Sequence, residues 1–231
     1  MVDKSIHPSS AVLKPIKDDD DDDDSYVDYF YDDPGAAPGT LDLEPDAPPP
    51  EIVLIDYCET AATRAHLANP REGSAYLDTA SVSWVDMLGL GNKETWRQMA
   101  EVFNLHVMAQ EDVVNVPQRP KVVDYEEHIL IIAWMVMLHP ESDTFHKEQV
   151  SLILGKHYLL TVQEEPDYDC FGPVRERIRK GQGTIRKHGA DYLAYTLLDS
   201  IIDGFFPVLE VYGERIEELE DEVVENPTRK T

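Results

Sequence analysis

Residues 127–163, EHILIIAWMVMLHPESDTFHKEQVSLILGKHYLLTVQ, decide the fold. They contain three runs rich in Ile, Val, Leu and aromatic residues, Glu127 to Leu138, Lys147 to Leu154 and His157 to Gln163, and each reads as a strand. Gly155 and Lys156 join the last two as a tight hairpin. The most apolar run, Ile129 to Leu138, is flanked by Glu126, Glu127, His128 and His139. It is far shorter than the roughly 20 residues a spanning helix needs. It therefore reads as a buried strand, and no membrane-crossing segment is expected.

Working outward, Ile52 to Tyr57 and Ser81 to Met87 read as two further strands, the second carrying Val82, Trp84 and Val85. A helix from Lys93 to Phe103 follows Asn92, a suitable N-cap. A short helix from Gly172 to Lys180 has Pro173 near its start and is closed by Gly181 and Gly183. Helices and strands interspersed in this way predict an α/β fold, an α/β/α sandwich with a mixed sheet, over residues 51–190. A long acidic C-terminal helix over 191–226 follows. Its apolar residues, Leu197, Leu198, Ile201, Ile202, Phe205, Phe206, Leu209, Tyr212, Ile216, Leu219 and Val223, step by one, three or four, and Asn226-Pro227 ends it. Gly204 and Pro207 lie inside it and predict a bend near Asp203.

The 231 residues, 42% of them hydrophobic, suffice for one main core. The formal charge of −26 disfavours nucleic acid and anionic membrane surfaces as partners and favours cations or basic surfaces. Residues 1–50 carry fourteen acidic against three basic residues, with Asp18 to Asp24 unbroken and a stretch ending Pro48-Pro49-Pro50. They read as a disordered tail, with Tyr26, Tyr29, Phe30 and Tyr31 able to dock locally. Cys58 and Cys170 are too few for a disulfide framework or thiolate zinc site, and no secretory leader precedes them, so a cytosolic compartment is expected.

Two features bear on chemistry. On the C-terminal helix, Asp199, Asp203, Glu210, Glu214, Glu217 and Asp221 share a sector of roughly 60° away from the apolar face. Between Asp191 and Glu225 the only basic residue is Arg215, so this stripe lacks the neutralising partners of an ordinary solvated helix. It is either a hydrated outer face or a holder of a hard divalent cation. The second feature is Glu111-Asp112, two adjacent carboxylates ahead of the proline-framed turn Pro117-Gln118-Arg119-Pro120-Lys121. Alone, such a pair is a helix N-terminal pair or a surface salt bridge; with ligands from other elements it can bind a cation. Arg175, Arg177, Arg179, Lys180, Arg186 and Lys187 form a basic cluster expected to pair with the acidic helices. The histidines show no metal spacing, His128 and His157 read as sheet residues, and no nucleophile elbow, phosphate loop or dinucleotide fingerprint occurs, so no enzyme is expected.

The run EDVVNVPQRPKVVDYEEHILIIAWMV from Glu111, with EQVSLILGKHYLLTVQEE after a gap, resembles the cytoplasmic domain of the CorA family of magnesium channels. The stretch GPVRERIRKGQGTIRKHGADYLAYTLLDSIIDGFFPVLEVYGERIEELEDEVVENP is similar to the part of that family leading into its long stalk helix. The resemblance implies a homopentameric channel for Mg2+, and often Co2+ or Ni2+, of a cell (inner) membrane. Its cytoplasmic domains bind Mg2+ between subunits and hold the pore closed. It implies site carboxylates at Glu111, Asp112 and Asp199 and a last source on a neighbour's stalk, beyond Thr231; Asp203, Glu210 and Glu214 of the acid stripe are further acidic-face candidates.

The family's Gly-Met-Asn signature and two transmembrane helices do not occur in these residues, and Pro117 stands where the family often has histidine. The expectation is a soluble cytoplasmic-domain fragment, joined to the membrane only through a further C-terminal region, that senses Mg2+ and gates transport. The alternatives are an acidic protein-interaction module and the cytoplasmic domain of a related zinc transporter.

Overall fold

In the computed structural model, which describes residues 29, 35–43, 47–139, 144–165 and 169–225, the strands form one mixed sheet. In chain order they are β1 (Glu51–Tyr57), β2 (Ala62–Leu67), β3 (Val82–Leu88), β4 (Lys121–Asp124), β5 (Ile129–Leu138), β6 (Phe145–Leu154) and β7 (Tyr158–Gln163). Their spatial order is β2-β1-β3-β7-β6-β5-β4, and β3–β7 is the parallel pair at the centre. The other pairings are antiparallel. The Gly155-Lys156 hairpin is present, its Gly155 amide donating to the Tyr158 carbonyl at 3.0 Å. Residues 1–28 and the helix stop at Asn226-Pro227 lie outside the described residues.

Both faces of the sheet are covered, because side chains alternate along each strand. One face packs Ile52, Leu54, Val85, Leu130 and Ile153 against α1 (Lys93–Phe103) and α2 (Val107–Val114). The other packs Val53, Ile55, Trp84, Met135 and Leu152 against α3 (Gly172–Lys180) and α4 (Ala190–Asp203). The expected α/β/α sandwich is therefore observed. The predicted bounds of α1 and α3 hold: Asn92 Oδ1 accepts the Thr95 amide at 3.1 Å, and Gly181 closes α3 at φ 65°.

One charged group sits in the middle of the sheet. Asp86 of β3 is 1% exposed, and its Oδ1 accepts from Thr161 at 2.6 Å and from Gln163 at 3.0 Å. The Arg175 guanidinium of α3 reaches Asp86 at 2.5 Å and Asp169 at 2.5 and 2.8 Å, clamping α3 to the sheet. This corrects the expected pairing of the basic cluster with the acidic helices. Arg179 and Lys180 pair with Glu176 of their own helix, and Arg186 donates to the carbonyls of Ile178 and Arg179.

The long C-terminal element is interrupted at Gly204, between α4 and α5 (Phe205–Glu225), where a bend was expected. Leu193, Leu197 and Ile201 of α4 are buried on the sheet, whereas in α5 only Val208 is. Leu209, Ile216 and Leu219 are more than half exposed, so the apolar row beyond Gly204 is as open to solvent as the acid stripe. The stretch Ala190–Glu225 is long and apolar enough to cross a membrane by length and composition alone, a test that a core helix also passes, so it does not overturn the expectation of no membrane-crossing segment. The expectation rested on Ile129–Leu138, which is indeed strand β5. The inner half of 190–225 packs against the sheet, and Asp199 and Asp203 interrupt it.

Candidate metal site

Helix α2 begins at His106, whose Nδ1 accepts the Met108 amide at 3.2 Å, and buries Ala109, Val113 and Val114 against the sheet. Its outward side thus carries Glu111 and Asp112, both half-buried, in the last turn. This is the opposite end of a helix from the N-terminal pair considered above. Carboxylates at a helix C-terminus add to the negative end of the helix dipole, so the local field attracts cations.

Internal partners already hold both groups. Lys121 of β4 donates to Asp112 Oδ1 at 2.6 Å, the salt bridge that was one of the sequence alternatives. Glu111 Oε2 accepts the backbone amide of Gly39. The proline-framed turn is pinned by Gln149, whose Oε1 accepts the Gln118 amide at 2.7 Å and whose amide nitrogen reaches the Asp112 carbonyl at 3.2 Å. The nearby Tyr125 hydroxyl is pushed above its ordinary value by burial first and by the Asp112 and Glu111 charges next.

Asp199 lies on the other side of the sheet. It is exposed on α4 and borders a groove of about 470 Å³ that also includes Arg177, Asp169, Cys170, Ser200 and Asp203. Since α2 and α4 cover opposite faces, one chain cannot close a site from Glu111, Asp112 and Asp199, and a shared ion would have to lie between copies. Asp203, Glu210 and Glu214 are exposed along α4 and α5, far along the chain from α2 and on elements that do not pack against it. Among the described residues no three His, Cys, Asp or Glu side chains converge as a metal cage.

Two other titratable groups stand out in the structure: Glu148, which the sequence reading did not single out, and His128, which was read as a sheet residue but precedes its strand. Glu148 of β6 is 2% exposed, its Oε2 accepts the Glu165 amide at 3.0 Å, and its Oε1 has no hydrogen-bond partner. Burial pushes its carboxyl up to about 7. His128 precedes β5, is 3% exposed and stacks on Tyr125 at 5.4 Å; burial lowers its imidazole below the ordinary value. Neither shows a periodicity or motif that sequence reading could use.

Residues 79–231 match the family model described as CorA-like Mg2+ transporter protein. The chain is 39% identical over 181 residues to the cobalt/magnesium transport protein CorA of Thermotoga maritima, covering 78% of this chain and 51% of that protein. It therefore spans about half the length of that relative. The fold is similar to that of the full-length CmaX protein, with a TM-score of 0.62 and 18% identity over 78% of this chain and 53% of the other. It is also similar to the soluble domain of CorA from Methanocaldococcus jannaschii, with a TM-score of 0.55 and 16% identity over 77% and 66%.

Proposed function

The chain belongs to the CorA-like Mg2+ transporter family, and on that premise we propose that it is a cytosolic Mg2+-sensing domain that regulates transport of Mg2+, and of Co2+ or related divalent cations. The observation that carries the reading is the placement of Glu111 and Asp112 together at the negative end of α2, on the sheet face opposite Asp199. This arrangement suits an ion shared between neighbouring copies of a homo-oligomer, a pentamer by the family resemblance. Mg2+ sheds its water reluctantly, so carboxylates bind it weakly and largely through water. Bound ion screens facing carboxylates and favours the assembled, closed state; its loss restores their repulsion and frees the domains.

The test is a Mg2+ titration of oligomeric state and protease resistance. The parent chain should assemble and resist cleavage as Mg2+ rises. The triple variant Glu111→Gln, Asp112→Asn, Asp199→Asn should lose that response while remaining folded without metal, its unfolding midpoint lowered by no more than the loss of the Lys121 pair, about 1 kcal/mol. An equal response from both proteins sinks the reading.

A further inference from the structure

The outer side of α2 is covered by a segment more than seventy residues earlier in the chain. Ala37-Pro38-Gly39-Thr40 forms a turn in which the Thr40 amide donates to the Ala37 carbonyl at 3.1 Å and Gly39 adopts φ +84°. Proline at the second position and a left-handed glycine at the third are the pattern of a type II turn. Such a turn leaves the glycine amide pointing outward, and here it donates to Glu111 Oε2. Asn115, 2% exposed, fastens the next residues: its Oδ1 accepts the Asp42 amide at 2.8 Å and its Nδ2 donates to the Thr40 carbonyl at 2.9 Å. Leu41 and Leu43 pack onto the core cluster that contains Ala109, Val113 and Val114. Gly39 sits so close to Val107 that any side chain there would overlap it.

We propose that this strap, residues 37–43, is a positioning device for the cation site: the Gly39 amide holds one oxygen of Glu111 and leaves the other to face a divalent ion. The proposal rests on the reading of Glu111 and Asp112 as cation ligands. Among the described residues Glu111 Oε1 has no hydrogen bond, so the carboxylate is tied on one side only. Carboxylates that ligate metals are commonly oriented by such outer hydrogen bonds, and losing one typically weakens metal binding about 10- to 100-fold. Coupling is reciprocal: if the docked strap aids ion binding, bound ion must hold the strap down by the same factor.

The test uses the full 231-residue chain and MgCl2. Gly39→Ala, whose Cβ pushes the strap off Val107, should raise the Mg2+ midpoint for assembly about tenfold in protein that circular dichroism shows to be folded. In the parent chain, hydrogen exchange at the Gly39 and Asp42 amides should slow as Mg2+ is added. An unchanged midpoint in Gly39→Ala overturns the proposal. So does a lower one, or exchange that quickens with Mg2+, since either makes the strap a competitor of the ion. If Glu111→Gln, Asp112→Asn responds to Mg2+ as the parent does, the cation reading itself has failed. If that variant is silent and Gly39→Ala matches the parent, only the strap inference has failed.

Discussion

A Cβ placed on Gly204 would stand 2.7 Å from the carbonyl oxygen of Val136, so the junction of α4 and α5 runs directly against the backbone of β5. Glycine is required there for closeness rather than for a left-handed backbone. Gly204→Ala should therefore tilt α5 or cost about 1–3 kcal/mol, the usual range for forced overpacking. Gly213, with open space around it in the middle of α5, provides the contrast. Gly213→Ala should raise helicity and gain up to about 1 kcal/mol from propensity alone. Circular dichroism and urea unfolding of the two variants should differ in sign.

Arg175 is the counter-ion that makes Asp86 tolerable in the sheet. Arg175→Met keeps the stem and removes the charge, leaving a buried carboxylate with only neutral donors. Unfolding should show a loss of about 3–5 kcal/mol. Arg179→Met, whose exposed ion pair is within its own helix, should cost less than about 1 kcal/mol.

Glu148 should make stability fall toward neutral pH. Burial holds its carboxyl up to about 7 in the folded chain, against an ordinary 4.5 in the unfolded one, so the folded state binds the extra proton in between. This contribution is complete below about pH 4.5 and is lost as pH rises to about 7. Glu148→Gln keeps an acceptor for the Glu165 amide and carries no charge. It should be more stable than the parent by roughly 3 kcal/mol at pH 8 and nearly equal to it at pH 4.5, measured by urea midpoints.

His128 acts in the opposite direction. Its imidazole is held below the ordinary value, chiefly by burial, so the unfolded chain takes up the proton first. Its contribution is complete above about pH 6.5 and is lost as pH falls below that. His128→Phe preserves the stack on Tyr125 and should flatten the acid limb of the stability curve below about pH 6.5. A limb of unchanged slope would assign acid sensitivity to other groups.

Lys121 occupies Asp112 at 2.6 Å and competes with any ion for that carboxylate. Lys121→Met should lower the Mg2+ midpoint about three- to tenfold, the equivalent of removing one half-exposed pair worth about 1 kcal/mol. A raised midpoint would show that the ammonium positions Asp112 instead.

Much of the fold was legible because it is written in short-range patterns. Asn92, Gly155-Lys156 and Gly181 are local signals, and the structure uses each as read. The elements that escaped lacked such signals. Strand β2, Ala62–Leu67, is mostly exposed at the sheet edge and has no apolar alternation. Strand β4 has four residues and exists through its pairing with β5. Helix α2, eight residues between His106 and the Pro117 turn, is too short to display a helical period. The candidate carboxylates were legible as residue types and through family resemblance, whereas their placement was not.

What the sequence determined by itself is therefore the α/β class, the long C-terminal element and the identity of the acidic groups, because composition, periodicity and caps act within a few residues; the family came from the resemblance of long blocks of sequence. Only the tertiary structure decided that Glu111 and Asp112 lie across the sheet from Asp199, that Asp86 meets Arg175, and that Gly39 holds Glu111. Those contacts join residues more than seventy positions apart, where no local pattern reaches and only the packing of the two layers onto one sheet selects the partners.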